Sequence, residues 1–303
     1  MDEGRIREEN VDLYYKHPKL EDFTDGDVLD FFISGEWKKL MVIGATDTGK
    51  STFVRLIVDQ LSKKYEVGVV DLDIGQSHIG PPTTVGWGTL KGGFRGWKSV
   101  KLKDFYFTGA ISPVGNMLPV LVGSGIIVAR AESLCGRVVI DTTGLVSEPH
   151  GRVLKQNKIE LLKPDLLVLI QREGELEEII SPFINRSGMK IVRLVVPENA
   201  KLKTPENRSN YREKLFEGYF SESSIVDFHI NNVGIMFTRN RIDLFSPYAS
   251  GRVVSLRDRK GRDVALGILM FSDQLKSRIF IKTPLKTRES IATIVVGSIN
   301  LDA

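Results

Sequence analysis

The stretch Leu40-Met-Val-Ile43-Gly44-Ala-Thr46-Asp47-Thr48-Gly49-Lys50-Ser51-Thr52 decides the fold. An apolar run leads into G-x-x-x-x-G-K-S, and the residues from Lys50 to Lys64 have helical spacing. The motif therefore stands where a strand turns into a helix, the setting its chemistry requires. Its glycines let backbone N–H groups curl around phosphate oxygens, and the helix that follows adds its positive N-terminal end. The pattern assigns Gly44, Thr46, Asp47, Thr48, Gly49, Lys50, Ser51 and Thr52 to a nucleotide. Lys50 is placed to reach the β- and γ-phosphates, the Ser51 hydroxyl to hold Mg²⁺, and Thr52 to meet an α-phosphate. A chance glycine-rich turn is the bland alternative, and the flanking strand and helix argue against it.

Further along the chain the same alternation continues. Leu40–Gly44, Val67–Leu72, Phe105–Phe107, Val138–Ile140, Leu166–Ile170 and Ile191–Val196 read as buried parallel strands. Helical spacing fills Lys50–Lys64, Asn116–Ser133, Arg152–Lys163 and Leu176–Ile184. This predicts an α/β fold of the P-loop NTPase type, a doubly wound, mainly parallel sheet with ligands at the carboxyl ends of its strands. After about Ser224 the texture becomes short β-like pieces, Val233–Phe237, Gly251–Leu256, Val264–Phe271 and Ile279–Ile281, punctuated by turn signals. The expected organisation is an acidic N-terminal arm over 1–35 with one short helix, a P-loop domain with its lid helix over 36–224, and a smaller β-rich C-terminal domain over 225–303.

Composition bounds the rest. The chain has 303 residues, 42% hydrophobic and 26% charged, which excludes disorder and collagen-like repeats. One cysteine, Cys135, excludes an internal disulfide and a Cys-rich zinc site. The longest apolar stretch, Met117–Ala131, is interrupted by Pro119, Gly123 and Arg130 and falls short of a membrane span. The first ten residues carry no signal-peptide pattern, so a cytoplasmic protein with no membrane partner is expected. The net charge of +4 is uneven: residues 1–30 hold ten acids and four bases, residues 252–288 ten bases and three acids. That basic segment suits a polyanion, although a solvated face explains composition alone at least as well.

A second cluster ends the second strand, Asp71-Leu-Asp73-Ile-Gly75-Gln76. Carboxylates at i and i+2 share one face of an extended chain, here beside the P-loop. One holds Mg²⁺ while the other takes a proton from an incoming hydroxyl. We assign Asp71 to the metal with Ser51 and Asp73 to the proton, roles the sequence leaves exchangeable. Gln76 offers an amide to orient a phosphate or nucleophile. Trp87 and Trp97 flank a glycine-rich stretch that reads as a hairpin or mobile loop, where Trp87 is placed to stack on a terminal base, with ordinary packing as the alternative. His78 and His150 are lone histidines, read as structural or surface residues.

Taken together, the segments Gly44–Thr52 and Asp71–Gln76 resemble the Clp1/Grc3/Nol9 polynucleotide 5′-hydroxyl kinases. Gly80-Pro-Pro-Thr-Thr84 and Phe107-Thr-Gly-Ala-Ile-Ser-Pro113 are similar to further segments of that family, and the resemblance runs over roughly residues 38–225. It implies transfer of the ATP γ-phosphate to the 5′-hydroxyl of single-stranded or end-exposed RNA or DNA. It implies also that Thr142, Thr143 and Gly144 form a clasp on the nucleic acid, with Leu145 where an aromatic residue is common. Arg208 and Arg212 resemble the lid arginines, and their i, i+4 spacing puts both on one helical face. Without the resemblance, a solvated helix with Glu206 and Glu213 as partners is the simpler reading.

Other P-loop classes fit less well. Asp141-Thr-Thr-Gly144 matches the Asp-x-x-Gly of GTPases, but Asn157-Lys-Ile-Glu160 lacks the guanine-reading aspartate and falls inside a helical pattern. No Leu-Ser-Gly-Gly signature of transport ATPases is present. A small-molecule kinase and a non-catalytic ATP-binding scaffold of an RNA-processing complex remain the alternatives. Neither base selectivity nor oligomeric state is written in the sequence.

Overall fold

The computed structural model describes residues 26–196, 200 and 202–301, so the acidic arm up to residue 25 lies outside the described residues. The chain runs α1 (Gly26–Ser34), β1 (Lys39–Gly44), α2 (Lys50–Ser62), β2 (Val67–Leu72), β3 (Thr84–Leu90), β4 (Lys101–Phe107), α3 (Met117–Glu132), β5 (Val138–Thr142) and α4 (His150–Leu162). It continues with β6 (Leu166–Gln171), α5 (Glu177–Ile180), β7 (Lys190–Val195) and α6 (Pro205–Phe220). The first sheet has the order β4-β3-β2-β5-β1-β6-β7. Strands β2, β5, β1, β6 and β7 pair in parallel.

Alternate residues of these strands serve opposite faces. Met41, Ile43, Val70, Leu72 and Ile140 pack under α3 and α4 with Val128, Leu154 and Ile159. Leu40, Val42, Val67, Val69 and Val139 pack under α2 with Phe53, Ile57 and Leu61. Both faces are thus covered, which is why these strands read as unbroken apolar runs. Phe32 of α1 packs edge-on to Phe53, with ring centroids 5.3 Å apart.

One strand departs from the sequence reading. The Phe105–Phe107 run belongs to β4, which is antiparallel to its neighbour β3, not part of the parallel set. The glycine-rich stretch flanked by Trp87 and Trp97 is the hairpin of the two readings: β3, antiparallel to β2, runs through residues 91–100 into the antiparallel β4. Its glycines permit close backbone approach, since a Cβ on Gly86 would meet the Ile79 carbonyl oxygen at 2.3 Å and one on Gly88 that of Lys101 at 2.6 Å.

The second sheet comprises β8 (Ser224–His229), β9 (Gly234–Phe237), β10 (Arg252–Asp258), β11 (Asp263–Asp273), β12 (Arg278–Thr283) and β13 (Ile291–Asn300), ordered β8-β12-β11-β10-β13-β9. Its pairs are antiparallel except β13 with β9. A shared apolar cluster joins it to the first sheet: Phe105 and Phe107 of β4, Phe216 and Phe220 of α6, and Val253, Leu266 and Val295. Asp263 ties the same seam, accepting from the Phe107 N–H at 3.0 Å and pairing with Arg257 at 2.7 Å.

This seam corrects part of the basic-face expectation. Arg257 is spent on Asp263 and stacks over Tyr106, while Arg278 and Arg288 both pair with Asp227. The exposed remainder of the basic segment centres on Arg259, Lys260 and Arg262, at the tip of the β10–β11 hairpin. No helix among the described residues is long and apolar enough to cross a membrane.

Candidate active site

The strand order reverses at β1, which has β5 on one side and β6 on the other. Ligands bind at the carboxyl ends of strands at such a point. A cavity of about 970 Å³ opens there, lined by the P-loop, the end of β2, the turn after β5 and the N-terminal half of α6.

Gly49 takes φ 90°, a conformation glycine adopts without strain, and so turns the loop into α2. Thr46, Asp47, Gly49, Lys50, Ser51 and Thr52 line the cavity. Two residues assigned to the nucleotide do not. Gly44 closes β1 behind the loop, where a Cβ would lie 2.5 Å from the Ile170 carbonyl oxygen. Thr48 is fully buried and donates to the Ala45 carbonyl at 3.0 Å. Both shape the loop, and neither lines the cavity. Lys50 donates to the same carbonyl at 2.6 Å, and burial pushes its amine below the usual lysine range.

The two strand-end carboxylates divide sharply. Asp71 is 2% exposed and both its oxygens are occupied: Oδ1 accepts from the Asp73 N–H, and Oδ2 from those of His78 and Ile79. It is a turn-organising residue outside the cavity, which corrects its assignment to Mg²⁺. Burial, then the neighbouring Asp141 and Asp73, raise its carboxyl well above the usual range. The residue actually beside Ser51 is Asp141, at the end of β5, whose Oδ2 accepts from Ser51 Oγ at 2.6 Å. Asp141 carries no metal role in the sequence reading. The signal that could have found it is the Asp-x-x-Gly pattern at 141–144, which in sequence matches a GTPase feature.

Asp73 does line the cavity. Its Oδ1 accepts from the N–H groups of Gly75 and Gln76 at 3.0 and 3.1 Å, while Oδ2 has no hydrogen bond among the described residues. An oriented carboxylate with one free oxygen is suited to accept a proton. Gln76 also lines the cavity, and its amide donates to the Gly75 and Arg208 carbonyls.

The clasp is split by depth. Thr143 and Gly144 face the cavity, and a Cβ on Gly144 would lie 2.7 Å from both the Thr46 nitrogen and Cα. Only glycine fits against the P-loop there. Thr142 is 1% exposed, and its hydroxyl donates to the Val42 carbonyl at 2.7 Å while accepting from Lys155 at 2.8 Å. It braces strands and does not line the cavity, a second correction. The third concerns Trp87, 2% exposed in the core with Val85 and Val128, where no base reaches it.

Helix α6 carries the lid. Thr204 caps it, accepting from the Asn207 N–H, and Pro205 opens its first turn. Arg208 and Arg212 both line the cavity, with Arg208 paired to Asp47 at 2.6 Å. Below them Tyr211 meets His78 Nδ1 at 3.0 Å, and the His78 ring stacks on Trp97 at 4.5 Å. Burial holds His78 down at about 4, so it is neutral near pH 7. The sequence offered no signal for this trio, whose members lie far apart along the chain.

The donor set beside Lys50 fits a hard cation. Ser51 and Asp141 supply hydroxyl and carboxylate oxygens, and no cluster of three His, Cys, Asp or Glu suited to a metal occurs among the described residues. Mg²⁺ is typically held this way, by few protein ligands together with substrate phosphates and water.

The fold and this cavity define a P-loop nucleotide-binding protein. Residues 44–222 match the family described as mRNA cleavage and polyadenylation factor CLP1 P-loop, and the chain belongs to that family. It is similar to the polyribonucleotide 5′-hydroxyl-kinases of Methanocaldococcus jannaschii, 32% identical over 202 residues, and of Pyrococcus furiosus, 34% identical over 201 residues. Each match covers 66% of this chain and 55% of the relative, so the chain spans about half the length of these relatives. The solved structure of a wild-type Clp1p–Pcf11p complex superposes with a TM-score of 0.72 at 10% identity, covering 94% of this chain and 80% of that one, and so shares the fold.

Proposed function

We propose that this protein is an ATP-dependent polynucleotide 5′-hydroxyl kinase acting on RNA or DNA ends. The observation that carries the reading is Asp73, with its free oxygen, in one cavity with Lys50, Ser51 and the lid arginines. The names of the archaeal relatives support the same reaction.

In this mechanism the P-loop amides and Lys50 hold the triphosphate, and Arg208 and Arg212 close over it from α6. Asp73 Oδ2 accepts the proton of the 5′-hydroxyl as that oxygen attacks the γ-phosphorus. The leaving oxygen departs with ADP, and the arginines offset charge on the transferring group. Ser51 and Asp141 are the residues that would hold Mg²⁺, which would neutralise phosphate charge when bound. Thr143, Gly144 and Gln76 border the acceptor side. The exposed Arg259, Lys260 and Arg262 tip offers a contact for the polymer backbone, one that weakens with salt.

The test is transfer of label from γ-labelled ATP to matched 5′-hydroxyl RNA and DNA oligonucleotides with Mg²⁺, beside the Lys50→Ala variant. Label at the 5′ end that vanishes in the variant supports the reading and ranks the two acceptors. ATP binding without label overturns it in favour of a non-catalytic scaffold or a small-molecule kinase.

A further inference from the structure

Helix α4 presents its buried face to the first sheet, and that face carries two lysines among Leu154, Ile159 and Leu162. Lys155 and Lys158 are both 0% exposed. Burying an amine is costly unless it is hydrogen-bonded, and a methionine or leucine fills similar volume without that cost. Lys158 Nζ has no hydrogen-bond partner among the described residues. Lys155 has two, and both belong to the turn bordering the active-site cavity: Thr142 Oγ1 at 2.8 Å and the Thr143 carbonyl oxygen.

These bonds continue into the site. Through Thr142, whose hydroxyl donates to the Val42 carbonyl, Lys155 joins the end of β5 to β1 two residues before the P-loop. Through Thr143 it fixes the residue preceding Gly144, whose backbone lies against Thr46 with no room for a methyl group. A shift of a few tenths of an ångström at Thr143 therefore has one of two results: Gly144 presses on the P-loop, or it withdraws from it.

We propose that Lys155 is a positioning residue for phosphoryl transfer, a clamp beneath the site that sets Thr143 and Gly144 against the P-loop. The proposal rests on the kinase reading above and deepens it. Lys155 touches neither nucleotide nor acceptor; it acts by holding the turn that borders both. Burial lowers its amine well below the usual lysine range, and a neutral amine still has two hydrogens for its two acceptors.

The experiment compares wild type, Lys155→Met, Thr142→Val and the double variant in the kinase assay, with thermal melting and amide hydrogen exchange. Methionine keeps the volume and removes both bonds. The expected result is a kcat lower by about 30-fold or more, as misplacement by a fraction of an ångström to 1 Å gives, with the ATP KM changed less than about threefold. The melting temperature holds or rises. Thr142→Val lowers kcat in the same direction, and the double variant is no worse than Lys155→Met, because both break one network. Faster exchange is confined to residues 142–145.

Wild-type kcat in Lys155→Met overturns the proposal. So does a loss of kcat that comes together with lost ATP binding and a collapsed melting transition, since that describes a purely structural lysine. If the wild-type chain transfers no label, the kinase reading fails separately. Exchange at residues 142–145 then decides the clamp: a local increase in Lys155→Met supports it, and no change overturns it.

Discussion

Arg208 Nη2 lies 2.6 Å from Asp47 Oδ2, so the lid helix is bonded directly to the tip of the P-loop. The same carboxylate oxygen accepts from the Lys203 N–H at 2.8 Å, and the Asp47 carbonyl from Arg172. Asp47 can serve there because it takes φ 58°, a left-handed conformation aspartate and asparagine tolerate. The ion pair is partly exposed, with side chains 27% and 9% accessible, so by itself it adds little stability. Its consequence is geometric: it sets Arg208 over the cavity.

Two roles for Arg208 are thereby separable. If it only latches the lid, Asp47→Asn and Arg208→Ala have equal effects. If it also offsets charge on the transferring phosphoryl group, Arg208→Ala is the more damaging. We expect the latter. Arg208→Ala lowers kcat by about a hundredfold or more, in the range of removing one electrostatic contact to a transition state. Asp47→Asn lowers it less than about tenfold, with a rise in the ATP KM. Steady-state kinetics on the two variants checks this, and equal losses would reduce Arg208 to a latch.

The aspartates are separable by a different contrast. Asp141→Asn removes the carboxylate beside Ser51 and is expected to lower turnover by at least about a hundredfold, with a greater requirement for Mg²⁺. Asp71→Asn replaces one of its two accepting oxygens with an NH2 group and so leaves at least one backbone N–H without an acceptor, at a cost of about 1–3 kcal/mol. Its signature is a lower melting temperature, with a smaller change in kcat. A Mg²⁺ titration of activity and a melting curve for each variant distinguish them. Exchanged signatures would return the metal to Asp71.

How much of this was legible depended on how local each feature is. The β1–P-loop–α2 unit was readable because one short segment carries strand, glycines and helix together. Asp73 and Arg208 were readable as types at a spacing. Asp71 and Asp73, two residues apart, look equivalent in sequence. They differ because the turn at residues 73–79 folds its N–H groups onto Asp71, a matter of three-dimensional closure. The glycines at 86 and 88 fit a hairpin or a loop equally in sequence, because the close backbones that require them come from residues 79 and 101. Lys155 and Lys158 were hidden by the ordinary expectation that lysine on a helix faces water.

The acid side of the stability profile tests the seat of the lid. His78 is held down at about 4 by burial, against an ordinary value of 6.5. Between these values the unfolded chain binds a proton the folded chain does not, so stability falls as pH drops from 6.5 towards 4. Above 6.5 the contribution is fully present. His78→Gln is expected to flatten that part of the profile and to loosen the contact with Tyr211. Denaturant unfolding at intervals from pH 4 to 7 measures it, and an unchanged slope in the variant would show that His78 is not the group responsible.

Lys158 makes the opposite end of the profile informative. Burial lowers its amine from 10.5 to about 8, despite the attraction of Asp73, Asp71 and Asp141, and its Nζ has no hydrogen-bond partner among the described residues. Below pH 8 both folded and unfolded chains hold the proton, and the cost of burying the charge is constant and fully present. Between about 8 and 10.5 the folded chain releases the proton while the unfolded chain keeps it, so stability rises with pH across that window. Replacing the amine with an apolar side chain of similar size removes the cost outright, as often happens when buried charges are replaced by well-packed residues. Lys158→Met is therefore expected to be more stable than wild type at pH 7, and to lack the rise between 8 and 10.5. Urea unfolding at pH 7, 8, 9 and 10 reads both effects. If Lys158→Met is less stable at pH 7, the ammonium must be held by the three carboxylates strongly enough to outweigh its burial, and the amine belongs to the charge balance of the site.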